Sequence, residues 1–423
     1  MDIQLKNRSQ KQVVSPDDPS IVLYVPQNDV TDPIISIVVP AMNEKIAIRQ
    51  FVSWCLEGAS KVQSKVEIII VDSSSDETPQ LALELGARVL RTPKRGLGRA
   101  YIDAIPFIRG KFVIMGDADC TYDFRSIGPY IEKFEQGYEF VMGSRFKGSI
   151  EPGAMPALHR YFGTPATTAI LNFMYGTKFS DIHCGMRGIS IDALRKIDLS
   201  SQSWEYASEM VLKSVHARLR STEVPIHFLK DMNGRQSHMV RGGWMEPWRA
   251  GWMNMRAMFT FGADFFLLVP GVLLLALGLI GLATLSLGPI DLGAFSLSLN
   301  TMLIALVVGL QGLNMVLLAL VARCLYDGDG IYRRSLLRVF AFDRTVIVSA
   351  SMVILGVALL APFILEFMKA GYQYDDRTVL LNHLAIVGMF FFASGAFLFV
   401  SMLLMHALNI YQSDRVKSHL QVR

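Results

Sequence analysis

Three carboxylates crowd one short stretch, FVIMGDADCTYDF, at Asp117, Asp119 and Asp123. Like charges this close repel unless a cation or bulk water screens them. The Asp-x-Asp pair suits a divalent cation held against a diphosphate, because Mg²⁺ takes one or two carboxylates and completes its shell with phosphate oxygens and water. In that reading Asp119 is the better direct ligand, and Asp117 meets the group that the diphosphate carries or reaches the metal through water. The same letters spell Asp-x-Asp-x-Thr after an apolar run, which fits an aspartate that attacks phosphate. An EF-hand-type calcium loop is excluded, since its sixth position is not glycine and its twelfth is not glutamate. A solvated turn is the remaining option, because short motifs often match by chance. Asp123 suits local capping as well as it suits a ligand.

The elements that must position this stretch narrow the choice. IISIVVP (34–40) and VEIIIVD (66–72) are apolar, β-branched runs, a buried-strand signal. A helix is expected between them, from about Glu44 to Ala59. TPQLALELG reads as a capped helix, with Thr78 as cap, Pro79 in the first turn and Gly86 as stop. ARVLRT is a third strand, GLGRAYIDAIPFI a crossover helix, and KFVIMGDAD the fourth strand with its turn. Alternating strands and helices build a mainly parallel sheet, and such sheets bind ligands beyond the carboxyl ends of their strands. Those ends carry Asn43 and Glu44, then Asp72 and Asp76, then Arg95, then Asp117 and Asp119. One site would gather them all. GLGRAY lacks the third glycine of a dinucleotide fingerprint and is read as a close-approach turn near a phosphate, with Gly96 and Gly98 admitting the backbone. Further on, YEFVMGSRF (138–146) predicts a strand ending at Arg145, SDIHCGMRG (180–188) a polar turn, SWEYASEMVLKSVHARL (203–219) a helix, and STEVPIHF (221–228) a strand. Glu205 and Glu209 lie one helical turn apart, and Glu205 is read as surface charge.

The chain's 423 residues allow two or three domains, and its 51% hydrophobic content is high for a soluble protein. The excess lies beyond about residue 262. The runs Phe265–Leu287, Leu297–Ala322, Thr345–Leu365 and Leu384–Leu408 contain no Asp, Glu, Lys or Arg. Each is long enough for a helix across a hydrocarbon core of roughly 30 Å, so two transmembrane hairpins are expected. Between the second and third runs stand Arg323, Arg333, Arg334, Arg338 and Arg344, whereas GPIDLGAFS, between the first and second, has no Lys or Arg. The positive-inside rule then places the arginine loop, both termini and the globular domain in the cytoplasm, with the protein multi-pass in the inner (plasma) membrane. Trp244, Trp248 and Trp252, with Arg249 and Arg256, predict amphipathic juxtamembrane helices over 241–263. Residues 1–33 are expected to be a flexible extension, 34–240 the α/β domain, 264–410 the membrane helices and 411–423 a cytoplasmic tail. No apolar run among the first residues predicts a cleaved signal peptide. Cys55, Cys120, Cys184 and Cys324 lack metal or redox spacing, so no disulfide or zinc site is expected. A net charge of +4 does not point to nucleic acid.

At this point the motifs resemble a known family. VVPAMNE resembles the Pro-x-x-Asn-Glu opening of family 2 glycosyltransferases, and VDSSSDET their aspartate-rich second turn, with Ser73 where many members have Asp or Asn. GLGRAY, DADCTYDF, MGSRF and SDIHCGMRG follow in order. With the hydrophobic tail, the series resembles the polyprenyl-phosphate type: dolichol-phosphate mannose and glucose synthases and their GtrB-like bacterial relatives. The motif resemblance covers roughly 34–240 and is one of architecture beyond. It implies a GT-A fold, Rossmann-like with a mainly parallel sheet, followed by four α-helical membrane spans. It implies a nucleotide contact at Pro40, Asn43, Glu44 and Asp72, and a donor and Mg²⁺ or Mn²⁺ contact at Asp117 and Asp119. Asp76, Gly96, Gly98 and Ala118 are counted in the same nucleotide-sugar surround, and Arg145 and Arg187 would meet phosphates. The Asp-x-Asp-x-Thr pattern also resembles the haloacid dehalogenase phosphatases, but there it marks the first strand of the domain. Here three β/α units come before it, and Asn43, Glu44 and Asp72 would be left without a purpose. The Q-x-x-R-W motif of processive polysaccharide synthases does not occur.

The expected reaction is inverting transfer of a hexose from a nucleotide sugar to polyprenyl phosphate, with UDP-glucose preferred and GDP-mannose second. A phosphate monoester is largely dianionic at neutral pH, so no strong general base is needed and the chemistry reduces to positioning and charge stabilisation. Arg145, Arg187 and Arg235 are candidate partners of the lipid phosphate, with His238 a weaker one. Asp181 is expected to orient Arg187, to touch the sugar or to cap the next helix. Homo-oligomerisation through the membrane helices is a further expectation. The alternatives are the phosphatase and a non-catalytic, nucleotide-sensing membrane protein, which turnover would separate from the transferase.

Overall fold

The structure, a computed structural model, describes residues 5–6, 8–232, 252, 255–256, 258–293, 296–325, 327, 330–372 and 379–421. The chain divides into two compact units, Met1–Thr260 and Phe261–Arg423.

A nine-stranded sheet organises the first unit. Its strands are β1 (Lys11–Val14), β2 (Val22–Val25), β3 (Ile35–Ala41), β4 (Val66–Asp72), β5 (Arg88–Arg91), β6 (Phe112–Met115), β7 (Phe140–Ile150), β8 (Arg187–Ser190) and β9 (Ser221–Phe228). Their spatial order is β1-β2-β5-β4-β3-β6-β8-β7-β9. The central four, β5, β4, β3 and β6, are parallel. Both faces of β3 and β4 are covered, which is why their sequences are nearly continuous in Ile and Val instead of alternating. The chain leaves β3 for β4 and β5 on one side, then crosses to β6 on the other. That reversal makes the β3/β6 boundary the switch point of the sheet, where open α/β sheets form a crevice.

The connections are α1 (Ile48–Ser60), α2 (Thr78–Glu84) and α3 (Leu97–Ala104). The first starts four residues later than the expected Glu44: Asn43 takes a left-handed φ of 55°, and a tight turn follows in which the Glu44 carbonyl accepts the Ala47 amide and then, as the first helical bond, that of Ile48. Helices α4 (Gly128–Glu135), α5 (Thr164–Tyr175), α6 (Ile191–Ile197) and α7 (Tyr206–His216) complete the unit.

One expectation is overturned here. Residues 1–33 are not a flexible extension over their described part: β2 pairs antiparallel with β5, and β1 with β2. Ile21, Leu23, Tyr24 and Val25 are buried, so the segment completes one edge of the sheet by hydrophobic burial.

The second unit holds α8 (Ala263–Leu285), α9 (Leu299–Leu325), α10 (Ile331–Val339), α11 (Phe342–Lys369) and α12 (Val379–Gln421). Four of these, counting α12 as far as Tyr411, are long and apolar enough to cross a membrane. Glycines let the backbones meet. A methyl group on Gly278 would lie 2.2 Å from Gly309 Cα, and one on Gly356 would lie 2.6 Å from the Phe392 amide. Without a hydrophobic drive between helices in lipid, such close approach is what holds spans together. A cluster of Leu282, Leu285, Met302, Leu306, Ile386 and Phe390 joins α8, α9 and α12.

Candidate active site

The strand register puts the polar residues on one edge. Val38 of β3 pairs with Met115 of β6, Met115 with Arg187 of β8, and Arg187 with Met142 of β7. Because β8 runs antiparallel to both β6 and β7, those two point the same way. Asp117 and Arg145 therefore both lie just beyond this line. On the other side Ala41 pairs with Asp72, and Asp72 with Arg91. The carboxyl edge thus runs Arg91, Asp72, Ala41, the Asp117–Asp119 turn and Arg145.

At the end of β6 the backbone turns sharply. Asp119 Oδ1 accepts from the Thr121 amide at 3.0 Å and its hydroxyl at 2.6 Å. Between them Cys120 adopts a φ of 61°, a conformation that costs a non-glycine residue about 1–3 kcal/mol and persists where surroundings enforce it. The enforcing contacts are visible: the Tyr101 hydroxyl donates to the Gly116 carbonyl at 2.9 Å, and the Leu229 amide to the Thr121 carbonyl at 2.8 Å. Ala118 is buried inside the turn. Asp123 is a cap, accepting from the Arg125 amide at 3.0 Å and from Arg125 Nε and Nη2, while that guanidinium lies 4.4 Å from the Trp54 ring. Burial opposes ionisation of Asp123, but the Arg125 bonds outweigh it and hold its carboxyl below the ordinary range.

At the ends of β3 and β4 a second left-handed residue appears, Asn43. Its side-chain oxygen accepts from the Ser75 amide at 2.8 Å, and its own amide donates to Ser74 Oγ at 2.7 Å. Asp72 is fully buried, bonded by Ser74 Oγ at 2.6 Å and by Arg91, which also donates to the Ser74 carbonyl at 3.0 Å. Burial pushes the Asp72 carboxyl up, and Arg91 opposes this. Asp76 starts α2, accepting from the Thr78 amide at 2.9 Å, and reaches the Lys45 amide at 3.3 Å. Pro40 lies within β3, and Glu44 is buried beside Asn43. Arg91 and Ser74 were not singled out by motif. The signal for Arg91 was its register opposite Asp72, which only strand pairing reveals.

The 180–188 turn closes against the Asp117 side. A methyl group on Gly185 would lie 2.9 Å from Asp117 Oδ2, and the Gly185 amide donates to the Tyr122 hydroxyl at 2.8 Å. Asp181 is fully buried and holds Arg145 in a fork, with Nε at 2.7 Å and Nη2 at 2.8 Å. Burial disfavours the Arg145 charge, but this pairing outweighs it and keeps the guanidinium firmly protonated. Phe228 covers it at 5.2 Å. Glu223 accepts the Ser180 and Asp181 amides at 2.7 and 3.2 Å.

Several expected roles are corrected. Arg187 does not face a phosphate. It is fully buried, and its guanidinium donates to the carbonyls of Cys184, Ile182 and Ala207, stapling the turn to α7. Asp181 therefore orients Arg145, not Arg187. Gly96, at φ 110°, and Gly98 admit protein backbone and not a phosphate: added methyl groups would lie 2.3 Å from the Gln202 carbonyl and 2.2 Å from that of Ser201. Glu209 holds that same segment by accepting the Ser200 and Ser201 amides at 2.8 Å each. Glu205 is paired with Arg256. Arg95 is drawn away from the edge to Asp18, at 2.6 Å. Arg235 and His238 lie outside the described residues, as do Trp244, Trp248 and Arg249.

Among the described residues no group of three or more His, Cys, Asp or Glu could hold a metal. Asp117 and Asp119 alone do not cage an ion. They fit one that takes one or two carboxylates and fills its shell with phosphate oxygens and water, as Mg²⁺ does.

Residues 36–198 match the family described as Glycosyl transferase family 2. The low-salt glycan biosynthesis hexosyltransferase Agl6 of Haloferax volcanii is 35% identical over 64% of this chain and 63% of its own length. The chain thus spans less than two thirds of that relative. The dolichyl-phosphate hexose transferase of the same organism is 28% identical over 39% of this chain and 70% of its own. An uncharacterized protein of Methanocaldococcus jannaschii is 30% identical over 47% of this chain and 83% of its own. Among solved structures, glucosyl-3-phosphoglycerate synthase from Mycobacterium tuberculosis with Mn²⁺, UDP and glucosyl-3-phosphoglycerate overlaps 54% of this chain and 80% of its own, at 18% identity and a TM-score of 0.42. The expected architecture, a mainly parallel sheet domain of GT-A type followed by four apolar helices, is the one found. Together the ordered strand-end motifs and the match across the sheet show that the chain belongs to glycosyl transferase family 2.

Proposed function

We propose that this protein is a membrane-embedded, inverting hexosyltransferase that moves a hexose from a nucleotide sugar to polyprenyl phosphate. UDP-glucose is the preferred donor and GDP-mannose the second. The observation that carries the reading is the convergence at the switch point: the strained Asp117–Asp119 turn beside the ends of β3 and β4, with Arg145 on the same edge. The names of the relatives, a hexosyltransferase and a dolichyl-phosphate hexose transferase, support a hexose and a lipid-phosphate acceptor. In this reading residues 34–240 form the catalytic domain in the cytoplasm, and the four apolar helices anchor it in the plasma membrane.

Asn43, Glu44, Asp72 and Asp76 border the nucleotide, and Asp117 and Ala118 border the sugar. A divalent cation, Mg²⁺ or Mn²⁺, held by Asp119 with Asp117 beside it, would neutralise charge on the leaving diphosphate. The lipid phosphate dianion attacks the anomeric carbon from the opposite face. The new bond joins phosphate oxygen to that carbon, the bond to the nucleoside diphosphate breaks, and no proton moves. Arg145, locked by Asp181, supplies fixed positive charge toward the acceptor phosphate, in a site where preorganised charge is worth far more than in water.

The test is turnover of the purified full chain with a donor panel, Mg²⁺ or Mn²⁺, and polyprenyl phosphate. Nucleoside diphosphate and an anomerically inverted lipid-linked hexose should appear together. Asp119→Ala should lower the rate about 10²-fold or more, the order seen when one charge-stabilising group is lost, and chelation should do the same reversibly. Unchanged turnover by Asp119→Ala would remove the metal assignment. Phosphate release from simple phosphomonoesters without lipid would replace the transferase by a phosphatase.

A further inference from the structure

The connection between α9 and α11 carries charge that the transfer reaction does not use. Its helix α10, IYRRSLLRV, holds Arg333, Arg334 and Arg338 and no acidic residue. Arg323 precedes it and Arg344 follows. Arg323 lies 3.9 Å from Asp264 and 4.6 Å from the Tyr332 ring, so it braces the helix ends.

Two features make α10 a built surface and not a loose basic loop. Leu336 is buried with Cys324 of α9 and Met405 of α12, and Tyr332, Leu337 and Phe340 pack around them. This fixes α10 at the level where the long helices end. On the opposite face Arg334 and Arg338 are exposed beside Ile331, at 54% exposure, and the last residue of the helix, Val339, is 64% exposed. Apolar side chains beside arginines on one exposed face suit the boundary between acyl chains and headgroups. Arg333 lies beside the packed face, its amide held by the Asp327 carboxylate at 2.6 Å.

We propose that α10 is a binding site for the anionic phosphodiester headgroup of a bilayer phospholipid, with Arg333, Arg334 and Arg338 as its cationic donors. Guanidinium groups match phosphate oxygens bidentately, and basic side chains next to membrane helices draw anionic lipid. The inference rests on the membrane-crossing reading of the four helices and not on sugar transfer. It is tested by lipid binding alone.

The full chain in detergent is loaded with phosphatidylglycerol or phosphatidylcholine of matched chains, and retained lipid is counted by native mass spectrometry. The wild type should prefer phosphatidylglycerol. The triple variant Arg333→Gln, Arg334→Gln, Arg338→Gln should reduce that preference more than tenfold, at about fivefold per arginine, and the matching triple to Lys should retain most of it. If the Gln triple does not fold, the exposed single changes Arg334→Gln and Arg338→Gln are read instead, each with about a fivefold loss. Equal retention of the two lipids, or a preference that survives the Gln changes, overturns the proposal. A third arm uses polyprenyl phosphate. If the Gln triple loses that lipid and keeps its phosphatidylglycerol preference, the surface belongs to the acceptor and the proposal is also overturned.

Discussion

A carboxylate and a guanidinium that face each other across two strands depend on each other. Asp72 is fully buried and Arg91 is its register partner. Removing one member of a buried pair leaves an uncompensated charge, which costs about 3–5 kcal/mol. Arg91→Ala should therefore destabilise the protein by that order, measured by chemical unfolding, whereas Arg91→Lys should cost less. His183 offers a pH readout. Its imidazole bonds Thr167 at 2.8 Å, and burial, aided by Arg145 and Arg187 against Asp181, pushes it down from 6.5 to about 4. Between those values the unfolded chain binds the extra proton, so this contribution to stability is full above pH 6.5 and is lost as pH falls toward 4. His183→Gln should flatten that part of a melting-temperature profile, and an unchanged profile would show the ring is not desolvated. At this scale the sequence placed Asp117 and Asp119 just past the end of an apolar strand, where the turn after β6 holds them. It could not reveal Arg187, because whether an arginine meets a phosphate or a set of carbonyls depends on what folds over it.

Elements decide the fate of the glycines. Gly98 lies in α3 where the 201–203 segment crosses, and an added methyl would lie 2.2 Å from the Ser201 carbonyl and 2.8 Å from Tyr206 Cβ. Gly98→Ala should cost about 1–3 kcal/mol as overpacking, read as a lower midpoint in denaturant. The motif was visible, but its partner was not, because the segment that fills the gap lies a hundred residues further on, held by Glu209. The central strands were legible from their apolar β-branched runs. The strands KQVV and VLYV were not, being four residues each and defined by pairing, the first with β2 and the second with β5, instead of by their own pattern.

For the whole molecule, composition alone announced the apolar helices, since uncharged runs of this length have few other uses. Alkaline carbonate extraction of membranes should leave the full chain in the pellet, and release into the supernatant would contradict spanning. The division at Thr260 and Phe261 also follows the shift in composition. The edge pairing of β2 with β5 bears on how the chain is made. Val22 bonds opposite Arg91, so β1 and β2 have no sheet to join until β4 and β5 have been made. Until then an apolar edge stands open, the kind of edge that invites wrong partners. That interval ends early: β5 finishes at Arg91, and the first apolar helix begins only at Ala263. The partner strand of that edge is therefore made well before the long apolar helices of the second unit.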